Sequence, residues 1–275
     1  MALMRAGSTL CVLFAVLALA APACSRDRSK ILAGPFEMPT HPVIVGNRVY
    51  LDTVVSGPVG VRGVYLQEHF RVEVPLNGDP PRTSALEHSP APDPALATVA
   101  STLGEIGAAV RDGSDLYVGT TYGGNGKTGA DKRRPAGTLS RIHSDGAPVV
   151  LASNQDITAL VLDATSIYWL NGGFDGSGQL VRLSRAGGSP VVLASREDYP
   201  SFIALDETRI YWASDRGTIR TMEKTGGWIT TLASFHGRPT GLAVGPDLVV
   251  WTMFGVEEKR DLALILPGVL MAVPK

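Results

Sequence analysis

Residues 203–234 read IALDETRIYWASDRGTIRTMEKTGGWITTLAS, and residues 159–195 carry much of the same message: ALVLDATSIYWLNGGFDGSGQLVRLSRAGGSPVVLAS. Each begins with an apolar run ending at Asp163 or Asp206, then reaches an Ile-Tyr-Trp triplet. A Gly-x-aliphatic segment follows, then a Gly-Gly turn and a Leu-Ala-Ser ending. The Tyr168 and Tyr211 anchors stand 43 residues apart. The first phrase recurs at 106–119 and 242–252, and more weakly at 43–52. The second phrase, Gly-x-aliphatic-x-Arg, recurs with Arg141 and Arg182, while the copy at 217–221 lacks an Arg at its end. Leu-Ala-Ser closes units at Ser153, Ser195 and Ser234.

Each unit holds four short apolar or alternating runs with turn residues between them, and no helical period is sustained. A four-stranded unit of about 40 residues, repeated radially, is a β-propeller blade. The predicted fold class is therefore all-β, a propeller of four-stranded blades. One blade cannot cover its own two faces, so the Tyr-Trp pairs are expected between blades. The C-terminal GVLMAVPK matches a third strand with no fourth after it, and KILAGP at 30–35 matches a fourth strand with no first three before it. Joining them completes one blade and removes an exposed edge. The predicted units are 42–86, 104–153, 156–195, 199–234 and 238–275 with 30–34, which makes five. A sixth, degenerate blade near 54–100 is the alternative count. The Pro-rich stretch 87–103 reads as a linker, and the run 262–273, interrupted by Pro267, reads as two buried strands.

Of the 275 residues, 44% are hydrophobic and 19% charged, so the chain is neither disordered nor membrane-embedded as a whole. The 31 Gly and 19 Pro suit a chain of many tight turns. A net charge of −1 argues against a nucleic-acid partner. Residues 1–23 read as a signal peptide, with Arg5 before the apolar run 10–21. Ala21-Pro22-Ala23-Cys24 resembles a bacterial lipobox, although Ala stands where Leu is usual and Pro is uncommon at the next position. The alternative is simple secretion after an A-x-A cut. The two cysteines are Cys11, within the leader, and Cys24, so a lone mature cysteine needs a reason, and lipidation supplies one. The expected organisation is a signal peptide over 1–23, a lipid-anchored tether over 24–29 and a propeller over 30–275. That places a monomer at the outer membrane or periplasm, touching the membrane through its lipid anchor only.

Over 104–275 the blade pattern resembles repeats of exported bacterial β-propeller proteins. It is similar to the Tyr-Trp-Thr-Asp propellers of lipoprotein receptors and, more distantly, to NHL and SMP-30-type propellers. This chain lacks the Thr-Asp half: it has Tyr168-Trp169-Leu170-Asn171, Tyr211-Trp212-Ala213-Ser214 and Val250-Trp251-Thr252-Met253. What the resemblance implies is the fold; the motif brings no active site with it.

Ligands of propellers gather where second-to-third-strand loops and blade-to-blade connections meet. The longest such loop, 120–137, carries Lys127, Asp131, Lys132, Arg133 and Arg134. It could engage a phosphate, a carboxylated glycan or an acidic partner, or be a plain solvated loop. Its GGNGKT is no Walker motif, because Thr121 stands where the first Gly belongs. The loop 171–178 contains Asp175 but misses calcium-loop spacing at Gly173 and Arg182. Blade-to-blade connections bring Asp156, Glu197, Asp198, Tyr199 and His236 to the same face. No G-x-S-x-G or H-x-x-x-H occurs, and no motif selects a metal or a cofactor. Asp163 and Asp206 are expected to cap turns, and the recurring Arg141 and Arg182 to make inter-blade hydrogen bonds. The expected role is a non-catalytic binding module for a protein or glycan partner. The alternative is a lyase- or lactonase-type propeller enzyme, for which Asn154, Asp156 and Asp198 are candidates.

Overall fold

The computed structural model describes residues 30–36, 40–58, 65–85, 106–121, 137–143, 147–173, 176–235, 237–259 and 262–275. Its elements are strands, grouped in antiparallel sheets of four. The first sheet is β2 (Thr40–Val45), β3 (Arg48–Pro58), β4 (Tyr65–Pro75) and β5 (Arg82–Ala85). The second is β6 (Ile106–Asp112), β7 (Asp115–Thr120), β8 (Gly137–His143) and β9 (Val149–Gln155). The third is β10 (Ile157–Leu162), β11 (Ser166–Asn171), β12 (Gly178–Ser184) and β13 (Val191–Glu197). The fourth is β14 (Pro200–Leu205), β15 (Arg209–Ser214), β16 (Thr218–Glu223) and β17 (Thr230–Ser234). The fifth takes β18 (Arg238–Val244), β19 (Leu248–Lys259) and β20 (Leu262–Pro274) from one end of the chain and β1 (Lys30–Phe36) from the other. These meander sheets, packed face to face, make a β-propeller. The linker stretch 87–103 lies outside the described residues.

The strand period sets the packing. In β11 and β15 successive side chains point to opposite faces. Trp169 packs towards the second sheet with Tyr117 and Leu139, while Tyr168 packs towards the fourth with Ile210 and Trp212. Tyr211 in turn joins Trp251 and Met253 of the fifth sheet. Val250 meets Val49 and Val72 of the first. Trp169, Trp212 and Trp251 are all 0% exposed, and truncating a fully buried Trp typically costs about 3–5 kcal/mol. The inner strands lie against one another in the order β6, β10, β14, β18, β2. A smaller cluster, centred on Leu116 and Val118, draws only on the second sheet among the described residues. The second and third sheets approach so closely that a Cβ on Gly119 would sit 2.3 Å from Ile157 Cγ2.

The pairing of the two chain segments is as the sequence predicts: Lys30 lies opposite Ala272 and Ile31 opposite Met271. The run 262–273 departs from expectation. It is one strand, β20, rather than two. Its pairing with β19 slips between Met253 and Gly255, opposite Pro267 and Gly268. A bulge there absorbs a residue that has no N–H to give, so Pro267 bends the strand without ending it.

Deleting Lys30–Phe36 removes the outer strand of the fifth sheet. We expect a fall of roughly 10 °C or more in Tm by calorimetry, set by the domain's size and the bonds lost. An unchanged Tm would show that β1 is dispensable.

Candidate functional site

The antiparallel order gives the propeller two unlike ends. One, the turn end, holds the hairpin turns joining first to second and third to fourth strands of each sheet. The other, the loop end, holds the second-to-third-strand loops and the connections between sheets.

The turn end is closed by a recurring clasp. Asp163 Oδ1 accepts the N–H of Thr165 and of Ser166, as the capping reading expects. Its Oδ2 reaches the next sheet, where Lys224 Nζ lies 2.8 Å away. Asp206 repeats this with Thr208 and Arg209 on one oxygen and Lys275 Nζ at 2.7 Å on the other. Asp112 pairs with Arg185 in the same way. A Tyr joins each clasp: Tyr211 donates to Asp206 at 2.8 Å, Tyr168 to Asp163 at 3.4 Å, and Arg185 lies over the Tyr117 ring. Arg182 donates to the Lys224 carbonyl at 2.8 Å, the inter-blade bond expected of it, whereas Arg141 is exposed. Partial burial alone would push the Asp163 and Asp206 carboxyls up. The lysines and backbone N–H groups outweigh it and hold both well below the usual carboxylate range. Burial, then the bond to Asp206, pushes the Tyr211 hydroxyl up.

At the loop end a second device recurs. Trp169 Nε1 donates to Gln155 at 2.9 Å, and Trp212 Nε1 to Glu197 at 2.7 Å, each tying a second strand to the end of the preceding sheet. Glu197 is 1% exposed and also takes Arg220 Nη1 on both oxygens, at 2.7 and 2.8 Å. Sequence reasoning placed Glu197 on the ligand face; the structure commits it to this internal pair. The readable signal was a coupled change. Where the acceptor is Gln155, the residue opposite Trp169 is Val181; where it is Glu197, the residue opposite Trp212 is Arg220.

Asp198 and Tyr199 form the corner between the third and fourth sheets. Tyr199 has φ 51°, a left-handed conformation that is rare for a bulky side chain. Its N–H reaches Gly173 O at 3.3 Å, and its carbonyl accepts Asp215 N–H at 2.9 Å, so it bridges two neighbouring loops. Arg216 lies over its ring, 5.2 Å from the centroid, and pairs with Asp198 at 3.2 Å. Asp198 Oδ1 is enclosed with no hydrogen-bond partner among the described residues. Asp215 pairs with Arg238 at 2.7 Å. Asp156 stands one sheet back, its carbonyl accepting Gly172 N–H at 2.7 Å. Asn154 and Arg196, both at φ 61°, occupy the same bulge position in successive sheets. Of the predicted face, then, Asp156, Asp198 and Tyr199 come to one rim. Lys127, Asp131, Lys132, Arg133, Arg134, Asp175 and His236 lie outside the described residues, as does Cys24. Among the described residues no three His, Cys, Asp or Glu side chains converge to hold a metal.

No known protein family matches the chain, and no curated protein matches it either. Among solved structures it is similar to the β-propeller domain of the Trilobed protease from Pyrococcus furiosus, at 10% identity and TM-score 0.51, over 84% of this chain and 94% of that one. It is also similar to the N-terminal domain of Nup159, at 11% identity and TM-score 0.41, over 91% of this chain. TolB from Acinetobacter baumannii matches at 11% identity and TM-score 0.38, over 83% of this chain and 52% of that one. The chain spans 65% of the length of the Nup159 domain. The first likeness establishes the propeller fold and brings no activity with it.

Two outcomes follow from the clasps. Glu197→Ala leaves Arg220 without its partner and should cost about 3–5 kcal/mol in urea unfolding. The pair Glu197→Gln with Arg220→Val, which copies the preceding sheet, should recover most of that loss; failure to recover would disprove the equivalence. Asp163 and Asp206 have lowered folded pKa values, so the stability they supply is complete above the unfolded carboxylate pKa. It drains away as pH falls below about 4. Asp163→Asn with Asp206→Asn should flatten that acid limb in a Tm-against-pH series.

Proposed function

We propose that this protein is an exported, lipid-anchored β-propeller that acts as a non-catalytic binding module and holds a protein or glycan partner at its loop end. The Asp198–Tyr199 corner carries this reading. Holding a bulky residue left-handed costs on the order of 1–3 kcal/mol, and such strain collects where a surface is kept in one shape for a ligand. Here two loop hydrogen bonds and a stacked guanidinium hold Tyr199 in that shape. An aromatic ring beside an arginine suits sugar rings and acidic or aromatic side chains. The basic loop joins Thr120 to Gly137, and both residues lie at this same end. The lipobox-like Ala21-Pro22-Ala23-Cys24 supports the anchor and the cell-envelope location. The net charge of −1 favours a partner other than nucleic acid.

The test is a crosslinked pull-down of the tagged full-length protein from its native envelope. It runs beside Tyr199→Ala and a variant with Lys127, Lys132, Arg133 and Arg134 changed to Ser. One partner held by the native chain and lost from the variants is the expected result. No partner, or one retained by every variant, would overturn the reading and direct attention to substrate and metal screens.

A further inference from the structure

The apolar side chains left in the open are not scattered. Among the described residues the exposed large hydrophobics are Val43, Val45, Val149, Val150, Val191, Val192 and Trp228. All seven belong to the turn end. Val43 and Val45 lead into the turn before Arg48, and Val45 faces that residue. Val149 and Val191 open the fourth strands of their sheets, opposite Arg141 and Arg182. Trp228 sits in the turn between Lys224 and Thr230, raised on Gly226 and Gly227 at φ 97° and 119°. The first four sheets each contribute, and Trp228 is 94% exposed. The turn that carries it lies beside Val191, because Arg182, opposite Val191, bonds the Lys224 carbonyl.

The fifth sheet contributes something else at this end: the start of the described chain. Lys30 lies opposite Ala272, near Lys275, whose N–H bonds the Asp247 carbonyl in the turn. Cys24 is six residues earlier, and six extended residues span at most about 20 Å. An acyl chain on Cys24 therefore holds the turn end, rather than the loop end, against the membrane.

We infer that the turn end is a lipid-docking surface, with Trp228 seated at the headgroup level and the exposed valines around it; this rests on the lipid-anchor reading above. Trp favours the membrane–water boundary, where its ring is apolar and its N–H stays wet. Exposed apolar side chains gathered at one end of a domain mark an interaction site. Docking in this pose aims Tyr199 away from the bilayer.

The experiment uses the full-length protein in vesicles of phosphatidylethanolamine and phosphatidylglycerol with brominated acyl chains, read by tryptophan emission. Trp169, Trp212 and Trp251 are fully buried, so Trp228 is the reporter. We expect bromine to quench one component of the emission, and Trp228→Ser to lose that component while keeping the native Tm. Trp228 left open to aqueous acrylamide and untouched by bromine would overturn docking, with the anchor still standing. Protection from acrylamide without bromine quenching would place a protein there instead, and would also overturn it. The anchor is read separately, by the mass of the Cys24 peptide. If that peptide carries no lipid, the anchor reading fails; docking then survives only if Cys24→Ser protein is still quenched by the same vesicles, and falls if it is not.

Discussion

The structure depends on a division of labour within one strand. In the third and fourth sheets Tyr and Trp are adjacent in sequence, so the pleat sends them to opposite faces, and each of these sheets buries its Trp against the sheet before it and its Tyr against the sheet after it. The larger core clusters of the described residues each span two sheets. The polar ends of the same rings are then secured at opposite ends of the propeller: the Tyr hydroxyl at an Asp–cation clasp, the Trp N–H at a Gln or Glu. Burying such rings without partners for their polar atoms would forfeit much of the gain.

The clasps are not evenly distributed. Asp112, Asp163 and Asp206 each have a cation from the following sheet, but the fifth sheet has Gly245 at that position. Its neighbour in the first sheet has Leu76 where the others have Arg185, Lys224 and Lys275; all four donate the same backbone bond to the turn beside them. Ile44 fills the space over Gly245, where a Cβ would meet its Cδ1 at 2.9 Å. Trp251 Nε1 likewise has no acceptor among the described residues, where Trp169 and Trp212 have one. Between the fifth and first sheets, then, apolar packing around Ile44 and Gly245 stands where an ion-pair clasp stands between the others just named.

Much of this was readable in the sequence, for a physical reason. Strand period, turn residues and the Leu-Ala-Ser endings are local signals, and repetition averaged out their noise. The recurrence of Asp163 and Asp206 before a turn gave away their capping role. Their second role was hidden: Lys224 sits in an ordinary turn, and Lys275 follows the last strand, so nothing local marks either as an ion-pair partner. The same holds for Glu197, whose partners lie in the next sheet. Pro267 misled because a strand-breaking residue is tolerated at a bulge, and a bulge is set by the partner strand. The rim was legible as a neighbourhood, through Asp156, Asp198 and Tyr199, but the backbone strain at Tyr199 belongs to tertiary context.

The pairing of β1 with β20 also sets a schedule. The first described strand is bonded to the last, so these partners meet only when the chain between them is present. The second, third and fourth sheets are contiguous in sequence and need no such wait. Their local hairpins can collapse while the C-terminal segment is still arriving, but the fifth sheet closes late, against the entropy of a loop almost as long as the domain. Until then β1 has no partner strand and β20, already paired with β19, keeps one edge open, and an open edge is a place where strands can pair wrongly.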